Sequence, residues 1–251
     1  VLGSSVGMDK IVQKSIYKDL ELNVIDYFWF SKNEFYDDEN KILDNNNFDY
    51  PKIVKPCSLG SSIGIKVCNN KQELENAINV ALKYDDRVLV EKALTNFREI
   101  NIALFRRNDE ILFSGVEQPK NWKEFLDFEE KYLSTKSKLV VGSKNVKISN
   151  ELLNKIKEKA KSVYKLLDLK GVVRFDFMID NDSKRLYINE INTIPGSNAF
   201  YLWKEANISY TKLIDMMVSE AKNDFYNKQK NQILYVSDVI KNAKNGTKIR
   251  K

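Results

Sequence analysis

The period of apolar positions changes several times along the chain, and each change marks an element. Ile11, Val12, Ile16 and Leu20 recur at helical spacing and predict a helix over Lys10–Leu20. After "NNFDYPKIVKP" a short strand is predicted at Ile53–Pro56, then the polar "CSLGSSIGI" and a strand through Val67. Leu74, Ala77, Ile78, Ala81 and Leu82 form one helical stripe, and Asn70 with Glu73 three residues on reads as its capping box. Strands follow at Arg87–Lys92, Glu99–Arg106 and Ile111–Gly115. From Glu117 to Lys147 no period holds, which predicts a long moving loop.

Ser149 or Asn150 caps an amphipathic helix that runs through Leu167 and is closed by Gly171. In "VVRFDFMI", Val173, Phe175, Phe177 and Ile179 alternate with Arg174, Asp176 and Met178, which is the pattern of a strand with one apolar face. "DNDSK" has turn chemistry, and "RLYINEINTIPG" is the returning strand of a hairpin. A last helix is predicted from about Ser209 to Lys222. On the returning strand a strict two-residue count puts Glu190 and Asn192 on the same face as Leu186 and Ile188. An acidic end to a core face is expensive unless something charged meets it.

Folding the hairpin about Ser183 sets Asp176 opposite Glu190, about 5 Å apart on one face, with Arg174 and Asn192 next along. Two carboxylates and an amide oxygen are hard ligands suited to Mg²⁺, usually shared with substrate phosphates. A solvated sheet face carrying an Arg–carboxylate pair is the plainer alternative. "KPCSLGSSIGI", Lys55 to Ile65, packs two glycines and three serines between two strands. Its backbone N–H groups can form an anion nest with Lys55 as a point charge beside it. It is not a Walker A loop, since no Gly-Lys-Ser/Thr follows and no helix opens there. An ordinary hairpin loop would use the same residues.

Composition narrows the chemistry. With 251 residues, 43% hydrophobic and 30% charged, the chain can build one large or two modest cores. It has no histidine, which removes Ser-His-Asp and Cys-His catalysis and leaves carboxylates, Lys, Arg, Tyr and metal ions. Two cysteines, Cys57 and Cys68, make neither a disulfide framework nor a zinc knuckle, and a reducing cytoplasm is the natural setting. No apolar run approaches the roughly 20 residues that span a bilayer. The start at Val1 suggests a fragment or a processed product. The formal charge of +6 is not spread evenly, because residues 222–251 carry eight Lys/Arg against two Asp/Glu and leave 33 of each sign over residues 1–221. A neutral body disfavours nucleic acid as a partner, and the tail reads as a basic helix.

Taken in order, these segments resemble the D-alanine–D-alanine ligase family of ATP-grasp enzymes over residues 1 to about 221. "LGSSVGMDK" resembles the start of that family's central domain, "YPKIVKPCSLGSSIGI" its phosphate loop, and "VLVEKAL" with "FREINIAL" its adenine hinge and ribose strand. "FLDFEEKYL" resembles its mobile loop, and "GVVRFDFMID" with "YINEINTIPG" its metal strands. The resemblance implies an α+β ATP-grasp fold, in which two subdomains with antiparallel sheets sandwich ATP: residues 1–97 central, 98–221 C-terminal, then the 222–251 tail. It implies that Asp176, Glu190 and Asn192 hold two Mg²⁺ ions, which Mn²⁺ could replace. Lys10 and Lys55 would contact phosphates under the Ser61-Ser62-Ile63 backbone. Glu91, Lys92 and Leu94 would frame adenine, and Glu99 would take the ribose hydroxyls.

The implied reaction is joining of two D-alanines through an acyl phosphate for peptidoglycan precursors. Arg174 and the Gly196 N–H would form the oxyanion hole, with Lys131 brought towards the γ-phosphate and Tyr132 towards Ser61 on loop closure. Two departures stand out. The family's N-terminal domain is missing, so the fragment alone is expected not to ligate and to need that domain as its partner. The turn "PGSNAFYLW" is about four residues shorter than usual, leaving Ser197 or Asn198 to grip the acceptor. D-serine, D-lactate or another amino acid as acceptor is the alternative, followed by a truncated nucleotide-binding non-enzyme. A homodimer stays open.

Overall fold

The computed structural model describes residues 2–45, 47–119, 144–146 and 148–231. Helices α1 (Leu2–Met8) and α2 (Lys10–Asp19) open the chain, and Asp9 between them caps α2 by accepting from the Ile11 and Val12 N–H groups. Neither α1 nor the next three elements was foreseen: β1 (Tyr27–Ser31), α3 (Lys32–Asp37) and α4 (Glu39–Leu43). They are short, and their aromatic residues alternate over too few positions to declare a period. Phe28 and Phe30 turn to the core while Trp29 stays exposed, and Ser31 and Glu34 close a capping box that ends the strand.

β2 (Lys52–Pro56), β3 (Lys66–Cys68), α5 (Lys71–Ala81) and β4 (Arg87–Lys92) complete the first layer. Its sheet has the order β1-β4-β2-β3, antiparallel throughout. Leu74, Ala77, Ile78 and Ala81 of α5 pack on Val54, Val88 and Val90, as the helical stripe requires. The α5 cap differs from the expected box. Asn70 accepts from the Glu73 N–H, but Glu73 reaches back to the N–H of Asn69, not of Asn70.

The second layer holds β5 (Phe97–Arg107), β6 (Glu110–Gln118), β7 (Lys144–Asn145), α6 (Asn150–Leu166), β8 (Val172–Asp180) and β9 (Leu186–Asn192). The sheet order is β7-β6-β5-β8-β9, again wholly antiparallel. Ile100, Ile102, Val173, Phe175 and Phe177 on one face meet Ile156, Ala160 and Val163 of α6. Each large side chain fully buried there contributes roughly 1.5–3 kcal/mol. Ser149 caps α6, but Gly171 does not close it. Asp168 takes the left-handed conformation (φ 45°), and the N–H groups of Asp168 and Leu169 return to Lys165 and Tyr164 in a Schellman turn.

The other face is covered by α7 (Phe200–Trp203) and α8 (Tyr210–Gln229), where Trp203 stands edge-on to Phe105 at 6.5 Å. α8 runs seven residues past the expected end at Lys222. The extension enters the stretch expected as a basic helical tail, of which residues 232–251 lie outside the described residues.

Both flanks of the central β5–β8 pair are interrupted by a bulge. On β6 the register slips between Ile102 and Leu104, where Ser114 Oγ accepts from the Ala103 N–H at 2.8 Å. On β9 it slips between Asp176 and Phe177, so that Asp176 faces Glu190 while Phe177 faces Ile188, with Asn189 as the extra residue. This corrects the expectation that Glu190 and Asn192 share the face of Leu186 and Ile188. After the bulge it is Ile191 that joins Leu186 and Ile188 in the core. Glu190 and Asn192 leave for the opposite face. A bulge re-aims side chains in this way because one extra residue inverts the alternation. Glu117 is moved by the same device, since Ile111, Phe113 and then Val116 line the core. Glu117 and Gln118, expected at the start of the long loop, instead pair with β7, and residues 120–143 of that expected loop lie outside the described residues.

Candidate active site

The two bulges align a polar rung across four strands. Glu117 on β6 lies opposite Asn101 on β5, Asn101 opposite Asp176 on β8, and Asp176 opposite Glu190 on β9. Arg174 and Asn192 form the next rung as a facing pair. Arg174 grips Asp176 with two parallel bonds, Nε to Oδ1 at 2.7 Å and Nη2 to Oδ2 at 2.8 Å. Asn192 Nδ2 donates to the same Oδ2 at 2.9 Å. With its amide nitrogen turned towards the acids, Asn101 donates to Glu99 Oε1 at 2.8 Å and to Asp176 Oδ1 at 3.3 Å. The Tyr201 hydroxyl completes the group through hydrogen bonds with Glu117 and Arg174.

Four carboxylates share this face with one guanidinium, and their proton affinities register the crowding. Burial, then Asp176, lift the pKa of Glu99 to about 8, with Glu190 adding to the rise. Burial raises Asp176 too, against the opposing pull of Arg174 and Asn192, and burial raises Glu117. A site that holds so much unneutralised acid favours a cation. Among the described residues no three His, Cys, Asp or Glu side chains converge on a ready-made metal cage. The donor set of Asp176, Glu190 and the Asn192 amide oxygen is the incomplete, all-oxygen set expected of Mg²⁺ shared with a phosphate ligand.

Facing charge of the opposite sign comes from the first layer. Lys10, at the start of α2, hydrogen-bonds through Nζ to the Leu59 carbonyl, and its backbone N–H donates to the Cys57 carbonyl at 3.1 Å. Burial lowers the pKa of Lys10, and the Glu190 carboxylate is the largest opposing influence, so the lysine and the acid rung feel each other. The loop over residues 57–65 is anchored at its start by Asp85, which accepts from the Ser58 N–H at 2.6 Å. Ser61 and Ser62 are both left-handed (φ 55° and 61°), followed by Gly64 at 69°. Within these turns the Ile63 N–H donates to the Gly60 carbonyl and the Ile65 N–H to the Ser62 carbonyl, both at 3.2 Å, so these two groups are held by the loop itself and not left open as in the expected anion nest. A side chain at Gly64 would also strike Pro56 Cγ at 2.8 Å.

Glu91, on β4, is fully buried and pairs with Lys55 of β2 and with Lys14 of α2. Burial alone would raise its pKa, but the two lysines bring it down to about 2. Lys92 is exposed at the end of that strand, and Leu94 is half-buried two residues beyond it. Glu99 lies beside the acid rung through Asn101, so it belongs to the same charge cluster as Asp176. Gly196 opens a tight turn in which Ser197, Asn198 and Ala199 are all left-handed (φ 49°, 53° and 48°). A side chain at Gly196 would meet nothing within 4 Å, so the space before its backbone is open. Lys131 and Tyr132 lie outside the described residues.

Residues 16–219 match the family model described as the D-ala D-ala ligase C-terminus. The chain belongs to the D-alanine–D-alanine ligase family. It is 40% identical over 235 residues to the D-alanine–D-alanine ligase of Clostridium acetobutylicum, a match covering 88% of this chain and 65% of that one. Among solved structures it is similar to the D-alanine–D-alanine ligase from Helicobacter pylori, with 28% identity, a TM-score of 0.67, and 85% of this chain and 58% of that one covered. It is also similar to the VanG D-Ala:D-Ser ligase from Enterococcus faecalis, with 28% identity, a TM-score of 0.72, and 87% and 62% covered. The chain spans 59–65% of the length of the curated D-alanine–D-alanine ligases from Thermosipho africanus and Clostridium acetobutylicum. Its α+β architecture of two antiparallel layers is the ATP-grasp fold of the D-alanine–D-alanine ligase family.

Lys14, Asn101, Glu117 and Tyr201 join the site without having been singled out from the sequence. Lys14 follows Lys10 by one helical turn, a signal that was readable. Asn101 needs the β5–β8 pairing, and Glu117 needs a bulge. No helix among the described residues is long and apolar enough to cross a membrane.

Proposed function

We propose that the protein bearing this chain is an ATP-dependent D-alanine–D-alanine ligase acting in peptidoglycan precursor synthesis. The observation that carries the proposal is the pairing of opposites: an acid rung of Asp176 and Glu190 with Arg174 and Asn192, across from Lys10, Lys55 and a left-handed serine loop. Such a cleft binds a polyphosphate with its cation between the two charge signs. ATP use is further supported by the family itself, and residues 1–97 and 98–221 would be the two subdomains that receive it.

Asp176, Glu190 and Asn192 would hold Mg²⁺, which supplies charge neutralisation to the phosphates when bound. Lys10 and Lys55 bind and orient the phosphates, and the Ser61-Ser62-Ile63 backbone covers them. A D-alanine carboxylate oxygen attacks the γ-phosphorus, forming an acyl phosphate and releasing ADP. The amine of a second D-alanine then attacks the acyl carbon, and inorganic phosphate leaves. Arg174 and the Gly196 N–H are suited to stabilise the oxyanion of that tetrahedral intermediate, a role whose loss costs about 3 kcal/mol in other enzymes. Arg174 is held for this by its bidentate grip on Asp176.

D-serine is the second reading for the acceptor. It rests on one solved relative, at 28% identity, that is a D-Ala:D-Ser ligase. Phosphate release by the full-length protein with ATP, Mg²⁺ and a panel of D- and L-amino acids tests the proposal. D-alanine alone should sustain release and yield the dipeptide. A panel in which D-alanine is inert would overturn it.

A further inference from the structure

Glu91 is wholly buried, yet it is met by two ammonium groups: Lys14 on one carboxylate oxygen and Lys55 on the other. One negative and two positive charges leave a surplus of one. Only Lys55 can spend that surplus on a ligand, because its side chain is 13% exposed beside the 57–65 loop while that of Lys14 is 3% exposed. Lys14 is pinned where it is, with its Nζ 5.2 Å from the centre of the Tyr27 ring. Without Lys14, Glu91 and Lys55 would close into a neutral pair, and an anion would have to break that pair to be bound. We propose that Lys14 is a positioning residue: by neutralising Glu91 it releases the charge of Lys55 for the phosphates of a nucleotide. This rests on the nucleotide-binding reading above. Burial lowers the pKa of Lys14 and the Glu91 carboxylate opposes that shift, while Glu91 itself stays ionised.

The test compares ATP with adenosine, which shares the base and ribose but carries no phosphate, by calorimetric titration of the full-length protein. Lys14→Met should weaken ATP by about tenfold or more and adenosine by less than about twofold, because only the phosphates sense Lys55. Lys14→Arg keeps the charge and should keep ATP affinity. The double variant Lys14→Met/Glu91→Gln removes one charge of each sign, restores the surplus, and should recover most of the lost ATP affinity relative to adenosine. If Lys14→Met does not fold, the double variant carries the comparison against wild type, with an expected ATP-to-adenosine ratio within about threefold. Equal loss for both ligands, or a double variant no better for ATP than the single one, overturns the role of Lys14 alone. A wild-type protein that binds no ATP overturns the nucleotide-binding reading and this inference with it.

Discussion

Two glutamates in this chain lie beside positive charge for different reasons, and substitution should separate them. Glu91 is sealed between Lys14 and Lys55, so removing its charge leaves two buried ammonium groups without a counter-ion. Losing one partner of a buried ionic group typically costs about 3–5 kcal/mol, and Glu91→Gln is expected to lose that much in urea unfolding. Its pKa is depressed to about 2, so its contribution is full above the unfolded value near 4.5 and fades as pH falls towards 2. The wild type should therefore lose stability over that window more steeply than Glu91→Gln; parallel pH–stability curves would show that Glu91 is not held ionised. Glu190 is only half-buried, and the core packs on the other face of its strand. Glu190→Gln should keep its melting temperature, lose turnover, and lose most of the stabilisation by Mg·ATP. A variant stabilised by Mg·ATP as strongly as the wild type would remove Glu190 from the metal set.

At the scale of elements, the two bulges decide which face is acidic. A strictly alternating β9 that kept Asn189 in regular register would put Glu190 on the core face with Ile188 and drive Ile191 out. Deleting Asn189 leaves Ile188, Glu190 and Ile191 in plain alternation, so Ile191 should stay in the core, Glu190 should stay opposite Asp176, and the melting temperature should stay close to that of the wild type. A deletion variant that unfolds, or that loses all turnover, would show that Asn189 is more than the extra residue that sets the face of Glu190. The facing of Asp176 and Glu190 could be read from the sequence, because turn chemistry at "DNDSK" and the clean alternation of Val173 to Ile179 set the pairing. The bulge could not, because it follows from a conflict between that pairing and the Leu186–Ile188 face that only packing resolves. Glu117 was lost to the supposed loop for the same reason. β1 was missed because its Phe28 and Phe30 earn a strand only against α5 and α3, and Lys14 because a lysine at helical spacing ordinarily faces water.

For the whole molecule, α2 is the element that belongs to both layers. Ile11 packs with Cys57 and Leu89 under the first sheet, and Lys14 meets Glu91 there. Tyr17 enters the core of the second sheet. Between them, Gln13 Oε1 accepts from the Ile191 N–H at 3.0 Å and from the Tyr17 hydroxyl at 2.8 Å, closing the outer edge of β9 just past its bulge. Edge strands need such cover, and here the cover comes from the helix that also carries Lys10. Nucleotide affinity and the stability of both sheets should thus be linked through α2. The chain is expected to unfold in one cooperative transition, followed by circular dichroism. Gln13→Leu leaves two buried polar groups without their acceptor, at about 1–3 kcal/mol, so the single transition should fall by about 2–4 °C per kcal/mol. Mg·ATP should restore part of that loss, because ligand binding to the native state stabilises it by mass action. Two separate transitions in the wild type, or a Gln13→Leu variant in which only one layer melts early, would show that α2 does not join the layers energetically.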